Sequence, residues 1–358
     1  MLRPVLVVET TRRKKRRDLR KKLARQFYEA FTQEGFVTVS GHVISKETWD
    51  QQMDFCNATM TMDPKANVPF ESRRRGTNRA STWVSRRLED SVFTKNLKID
   101  FYNMLYQDSK ADRKHPPHLV PYLDEIRKVM LHVRDDTQKK LFILLAMCLE
   151  MPADELIATH APGQSSSECC RYMSYAPLTP EATAKARGLF MPAHADWGAF
   201  SILFSPPVSA LQILHKSGVF KWVEYKPYTL IVNFGQALEL LTGGLFLATI
   251  HRVVTPPKDQ VDYLRVGIYC FSRPDDDFAL ALFHDSPILK RLGKDKPLDP
   301  NVTYSTAEIL EAKKHGYLKS DLDFDKPKDN NFHDDPFRQG DRFAATQKVL
   351  ASITKAFA

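Results

Sequence analysis

The sequence predicts a mainly β protein with flanking helices, in which a jelly roll or double-sheet sandwich lies between a helical N-terminal region and a helical C-terminal extension. Three observations lead there. From about 168 to 274 short apolar runs alternate with Pro and Gly, the texture of strands joined by turns. Before that stretch apolar residues recur at helical spacing, and after it the chain returns to helix and loop. The expected division is therefore 1–167, 168–275 and 276–358.

The elements follow in order. From about 18 to 34, Leu19, Leu23, Phe27, Ala30 and Phe31 fall on one helical face, and Gly35 ends the run. Phe36 to Val43 alternates like a strand. A mostly helical stretch then reaches Met151, with Ile126, Val129, Met130, Val133, Leu141, Leu144, Leu145 and Cys148 forming an amphipathic face suited to backing a sheet. Strands are expected at 170–175, 199–204, 210–214, 220–225, 229–234, 246–254 and 263–271. Lys319 to Asp341 reads as an exposed polar excursion before a last helix at 342–357.

Composition excludes several classes. A chain of 358 residues can bury a sizeable core, and no run of 18 apolar residues is present to span a membrane. MLRPVLVVETTRRKKRR carries its charges after the apolar patch, unlike a secretory signal. Five scattered Cys offer neither a disulfide framework nor a zinc motif, so a reducing, cytoplasmic setting is expected. Residues 1–25 hold 11 Lys and Arg against Glu9 and Asp18, a surplus of 9 that equals the whole chain's formal charge. The body is thus balanced, 41 basic (52 − 11) against 41 acidic (43 − 2), without the field that tracks nucleic-acid phosphates. TRRKKRRDLRKK reads as a solvated helix start, with a nuclear signal as the other use of such a run. Arg73, Arg74, Arg75 and Arg79 fall in an expected loop, read as a solvated charge run rather than a clamp for an acidic substrate.

The most informative residues are His194 and Asp196 in HADWGAF and His251 in TIHRVV, 55 residues further on (251 − 196 = 55). Two imidazoles and a carboxylate are the ligands of the facial triad that holds non-haem Fe(II) with coordination positions open. His-x-Asp occurs by chance, and 11 His can supply another imidazole. Context decides: both segments border apolar strands, where rigid backbone fixes ligand geometry.

The surrounding words resemble the isopenicillin N synthase-like branch of the iron and 2-oxoglutarate-dependent dioxygenases. HADWGAFSILF is similar to that family's HTDxGxLTLL, VNFGQALELLTGG to VNxGDxLexxTNG, TIHRVVTPP to its HRV segment, and YLRVGIYCFSRP to its RxS strand and following FxxP. EGFVTVSGHVI and KIDFYNMLYQ match more loosely, so the resemblance covers about residues 20–275. It implies a double-stranded β-helix, Fe(II) held by His194, Asp196 and His251, and 2-oxoglutarate as co-substrate with O2. It further implies that Arg265 meets the far carboxylate of 2-oxoglutarate and that Tyr175, in RYMSYAP, donates to it or packs as a plain strand aromatic.

Departures from the pattern are informative. Gly267 stands where the family's RxS serine helps hold that carboxylate, Gln236 replaces an Asp, and Ala248 replaces a Ser. Asn233 reads as a buried strand residue satisfying a turn, with a hydrogen bond near the metal site as its other use, and Arg252 as a supporting or structural group rather than a substrate contact. Phe190, Leu203 and Phe204 read as an apolar sheath for the site or as core. The implied activity is hydroxylation, or another oxidation, of an unactivated C–H bond in a small molecule of specialised metabolism, releasing succinate and CO2. Two alternatives share these residues: an iron oxidase that uses no 2-oxoglutarate, and a non-catalytic binding protein. Monomer and homodimer are both open.

Overall fold

In the computed structural model, residues 5–7, 13–63, 83–87, 98–106, 115–160, 168–296 and 305–309 are described. The expected polar excursion, the last helix and the arginine loop at 73–79 lie outside them. The twelve described strands are β1 (Val5–Val7), β2 (Phe36–Ser40), β3 (Trp83–Arg87), β4 (Lys98–Leu105), β5 (Cys169–Tyr175), β6 (Leu189–His194), β7 (Phe200–Phe204), β8 (Leu211–Leu214), β9 (Phe220–Trp222), β10 (Leu230–Phe234), β11 (His251–Val254) and β12 (Arg265–Phe271). They build a large sheet in the order β1-β2-β10-β7-β12-β5-β4-β3 and a small one in the order β6-β11-β8-β9. All pairings except β1–β2 are antiparallel. The architecture is mainly β with a jelly-roll core, as the sequence predicts.

The period of two along a strand divides the interior. On β7, Phe200, Ile202 and Phe204 face a core shared with the helices, whereas Leu203 faces a smaller cluster with Leu211 and Ile213 of the small sheet. On β10, Leu230, Val232 and Phe234 join the helical side and Ile231 the inner cluster. The helical side is covered by α1 (Arg13–Gln33), α2 (Lys46–Met60) and a long stretch built of α3 (Leu123–His132), a π-helical turn (Val133–Gln138) and α4 (Lys139–Leu149). Phe27 and Phe31 of α1 pack on Phe234, and Phe142 of α4 meets Phe200 edge-on. Fully burying side chains of this size contributes about 1.5–3 kcal/mol each, so the helical layer holds the large sheet rigid behind the site.

Several expectations need correction. Trp83–Arg87 and Lys98–Leu105, expected in a helical region, are strands β3 and β4, with β4 paired along its length with β5, and the strand expected at 246–254 begins only at His251. The strand Leu189–His194 was not expected. Cys170 and Cys270 form a disulfide, because β5 and β12 pair in a register that sets them directly opposite one another. A separation of 100 residues gives no hint of that register, and the cysteines no longer argue for a reducing compartment. Among the described residues no helix is long and apolar enough to cross a membrane.

Candidate active site

His194 is the last residue of β6 and His251 the first of β11, and the antiparallel register sets the two directly opposite. Their rings lie 4.4 Å apart. Asp196 follows in the loop leaving β6, with Oδ1 3.7 Å from His194 Nε2 and Oδ2 3.7 Å from His251 Nε2. The three ligand atoms lie within 4.8 Å of one another, and this is the triad the sequence picks out. Atoms so spaced can share one ion at roughly 2 Å from each ligand. The site opens on the His194 side: its side chain is 30% exposed, that of Asp196 16% and that of His251 9%.

Each ligand is oriented by a neighbour. His251 Nδ1 sits 3.0 Å from the Thr249 carbonyl, which can only accept, so the proton is on Nδ1 and the Nε2 lone pair is left for a metal. The edge of Phe36 closes on the same ring at 5.4 Å. Asn233 Nδ2 donates to Asp196 Oδ2 at 3.0 Å. Burial works to raise the pKa of the Asp196 carboxyl, but the His251 and His194 imidazoles, with the hydrogen bond from Asn233, outweigh it and hold the group at about 2. Asp196 is therefore a carboxylate at any physiological pH.

The loop itself is pinned by the turn after β10. Gly235 N donates to Ala199 O, Gln236 N to Asp196 O and Ala237 N to Gly198 O, at 2.8, 2.8 and 3.0 Å. Gln236 holds the loop through its backbone N–H, a donor that any residue but proline has. Such closeness requires glycine: a Cβ on Gly235 would stand 2.4 Å from Gly198 O, and one on Gly198, at φ +106°, would stand 2.6 Å from Ser272 O.

Arg265 begins β12 and is 1% exposed, paired in register with Tyr175 of β5. Its Nε donates to the Val208 carbonyl at 3.3 Å and Nη1 to the Tyr269 hydroxyl at 3.0 Å, and the Tyr175 ring lies under the guanidinium at 5.2 Å. Nη2 is buried with no hydrogen-bond partner among the described residues. Each of these neighbours is neutral, so they leave the charge buried without an acid to balance it, which is costly unless an anion enters. The arrangement fits a carboxylate-bearing molecule between the sheets.

Other expectations sort by face. Arg252, on the opposite side of β11 from His251, donates to Gln212 Oε1 at 2.8 Å and covers the Phe220 ring, away from the triad. Phe190 and Leu203 belong to the clusters between the sheets, whereas Phe204 packs on Trp49 in the helical layer. Tyr269, which accepts from Arg265, is a site residue that the sequence reading does not name. Alternation along β12 carries the signal for Tyr269, since positions 265, 267 and 269 share a face.

Comparison with known proteins now bears on this geometry. Residues 167–274 match the family model of the 2OG-Fe(II) oxygenase superfamily. Over 288 residues the chain is 25% identical to mugineic-acid 3-dioxygenase of Hordeum vulgare, covering 80% of this chain and 78% of that one. The fold is shared with a full-length Neurospora crassa protein in complex with alpha-KG, at TM-score 0.67 and 15% identity over 81% of this chain and 89% of that one. It is also shared with a 2OG-Fe(II) oxygenase family protein of Caulobacter crescentus, at TM-score 0.70 and 16% identity over 87% and 98%. The triad and Arg265 all fall inside the matched segment, and of the ions such a triad can hold and the anions such an arginine can meet, the match selects one pair: the protein is an Fe(II)- and 2-oxoglutarate-dependent dioxygenase whose residues 167–274 match the 2OG-Fe(II) oxygenase superfamily.

Proposed function

We propose that this enzyme hydroxylates an unactivated C–H bond of a small organic molecule in specialised metabolism, converting 2-oxoglutarate and O2 to succinate and CO2. In this reading His194, Asp196 and His251 hold Fe(II) on one side, Arg265 takes the far carboxylate of 2-oxoglutarate, and the Tyr175 ring is the neutral floor under that guanidinium. The Tyr175 hydroxyl lies 3.5 Å from Met173 Sδ and beside the Tyr269 side chain. The observation that carries the reading is Arg265 itself, a buried cation with an unpartnered Nη2 in the family-matched segment that also holds the triad.

Bound iron with its keto acid supplies the oxidant that breaks the C–H bond; the protein's own groups position and protect. Asp196 brings one negative charge to offset the ion, and His251 presents a lone pair fixed by Thr249. Apolar residues between the sheets, among them Phe190, Leu203 and Ile231, keep water from the reacting centre. A small-molecule substrate is supported by the balanced charge of the body after residue 25, which offers no field for a polyanion.

The test is anaerobic reconstitution with Fe(II), followed by measurement of bound iron and, with O2 and candidate substrates, of succinate against oxygen consumed. We expect one iron per chain and succinate stoichiometric with oxygen, and His194→Ala should lose most of its iron. Equal iron loading in wild type and His194→Ala would remove the assignment.

A further inference from the structure

We propose that the Tyr269 hydroxyl is a second anchor for the far carboxylate of 2-oxoglutarate, working beside Arg265 from a strand position two residues beyond the serine of the resembled RxS pattern. The inference rests on the Arg265 reading above and adds the donor that Gly267 lacks.

Three facts place the hydroxyl. Arg265, Gly267 and Tyr269 share the inward face of β12, with Val266, Ile268 and Cys270 turned to the helical layer. The Tyr269 ring folds back along its own strand: a Cβ built on Gly267 would stand 3.0 Å from Tyr269 Cε2 and 3.4 Å from the hydroxyl oxygen. The phenol thus occupies the volume that a side chain at 267 would fill. Finally, Arg265 Nη1 donates to that oxygen at 3.0 Å. With the oxygen engaged as acceptor, the phenol's own proton is the group it can give.

A carboxylate has two oxygens, and two donors of different kind converge here. Arg265 Nη2, buried and without a partner among the described residues, serves one. The Tyr269 O–H serves the other, polarised by the guanidinium that it accepts from. Phe271 stacks parallel to the Tyr269 ring, with centroids 6.2 Å apart and planes 7° apart, so the hydroxyl is held before the ligand arrives. A side chain at 267 would crowd the ring at 269, which would have to give by a few tenths of an ångström.

Affinity for 2-oxoglutarate tests this without turnover, read by calorimetry or by the visible absorption of the anaerobic Fe(II) complex. Removing one hydrogen bond to a charged group weakens binding about tenfold to a hundredfold. Tyr269→Phe keeps the ring and loses the hydroxyl; we expect a loss of that size in 2-oxoglutarate affinity with Fe(II) affinity unchanged, and a modest fall in melting temperature because Arg265 Nη1 loses its acceptor. Gly267→Ser alone should not gain affinity, since the ring blocks the hydroxyl, whereas Gly267→Ser with Tyr269→Ala should recover most of what Tyr269→Ala loses. Arg265→Met separates the two levels. If it leaves affinity unchanged, the Arg265 reading fails; if it weakens binding while Tyr269→Phe stays within about twofold of wild type, the arginine stands and the tyrosine proposal is overturned.

Discussion

A single amide decides how the Asp196 carboxylate is aimed. Asn233 Nδ2 donates to Oδ2, the oxygen that also faces His251 Nε2, which leaves Oδ1 toward His194. Without that donor the carboxylate can rotate about its terminal torsion and no longer presents an oxygen to a shared ion. Groups that orient metal ligands in this way typically contribute about 10–100-fold to metal affinity. Asn233→Ala should therefore weaken Fe(II) or Co(II) binding by about that factor while the chain remains folded, as a metal titration followed alongside circular dichroism would show. Unchanged metal affinity would mean that the amide serves only the turn. The metal ligands and Arg265 are readable in the chain because each chemistry needs a particular side chain, whereas Asn233 reads there as a buried strand residue satisfying a turn, and only the folded site shows it holding Asp196. Tyr269 is harder to read: alternation puts it on the face of Arg265, but nothing in its identity distinguishes it from an aromatic that packs until the ring is seen folded over Gly267.

At the scale of elements, the site exists because two turns touch. The loop after β6 and the turn after β10 approach so closely that Gly198 and Gly235 meet backbone to backbone, with three N–H donors fixing residues 196–199. In Gly235→Ala the new methyl would meet the Gly198 carbonyl carbon and oxygen and the Trp197 carbonyl carbon, none of them the movable end of a side chain. Overpacking of this kind costs about 1–3 kcal/mol, and here relief comes by pushing Asp196 away. We expect Gly235→Ala to lower both melting temperature and iron affinity, whereas Gly218→Ala, at a turn with open space around the position, costs only the strain of φ +79° and leaves iron affinity alone. The same scale shows where a sequence falls silent. Strand β4 is apolar on both faces, Ile99 and Phe101 toward the inner cluster and Tyr102 and Met104 toward the helical layer, so the alternation that marks a half-buried strand is absent. Strand β6 contains Pro192, a residue that argues against a strand unless pairing on one side is relaxed, and its ladder with β11 does shift register there. The strands read correctly, β7 and β12 among them, are bounded by Gly or Pro in the sequence itself.

Across the whole molecule, two buried titratable groups that take no part in the chemistry set how stability depends on pH. Glu168, at the entry to β5, ties three parts of the fold together: its Oε1 accepts from Gln138 Nε2 in the π-helical turn at 3.1 Å and from Arg273 N beyond β12 at 3.2 Å. Burial pushes its carboxyl up to about 7. His160, packed on Phe142 and bonded through Nδ1 to Thr159, is driven by burial down to about 3. Between its usual value of 4.5 and about 7 the folded chain keeps the Glu168 proton that the unfolded chain releases, so this group makes stability fall as pH rises through that window. Between about 3 and its usual 6.5, His160 does the reverse: the unfolded chain takes up a proton that the folded chain refuses, and stability rises with pH. The opposing slopes largely cancel from about pH 4.5 to 6.5, which hides both. Glu168→Gln uncovers them, since a Gln oxygen can accept the same two hydrogen bonds without a charge to bury. At about 1.36 kcal/mol per pKa unit, the variant should gain on the order of 3 kcal/mol over wild type at about pH 8 and nothing at about pH 4. Thermal melts of the two proteins across that range should diverge as pH rises, the variant melting higher, and a constant gap would show that the Glu168 carboxyl is not held protonated by the fold.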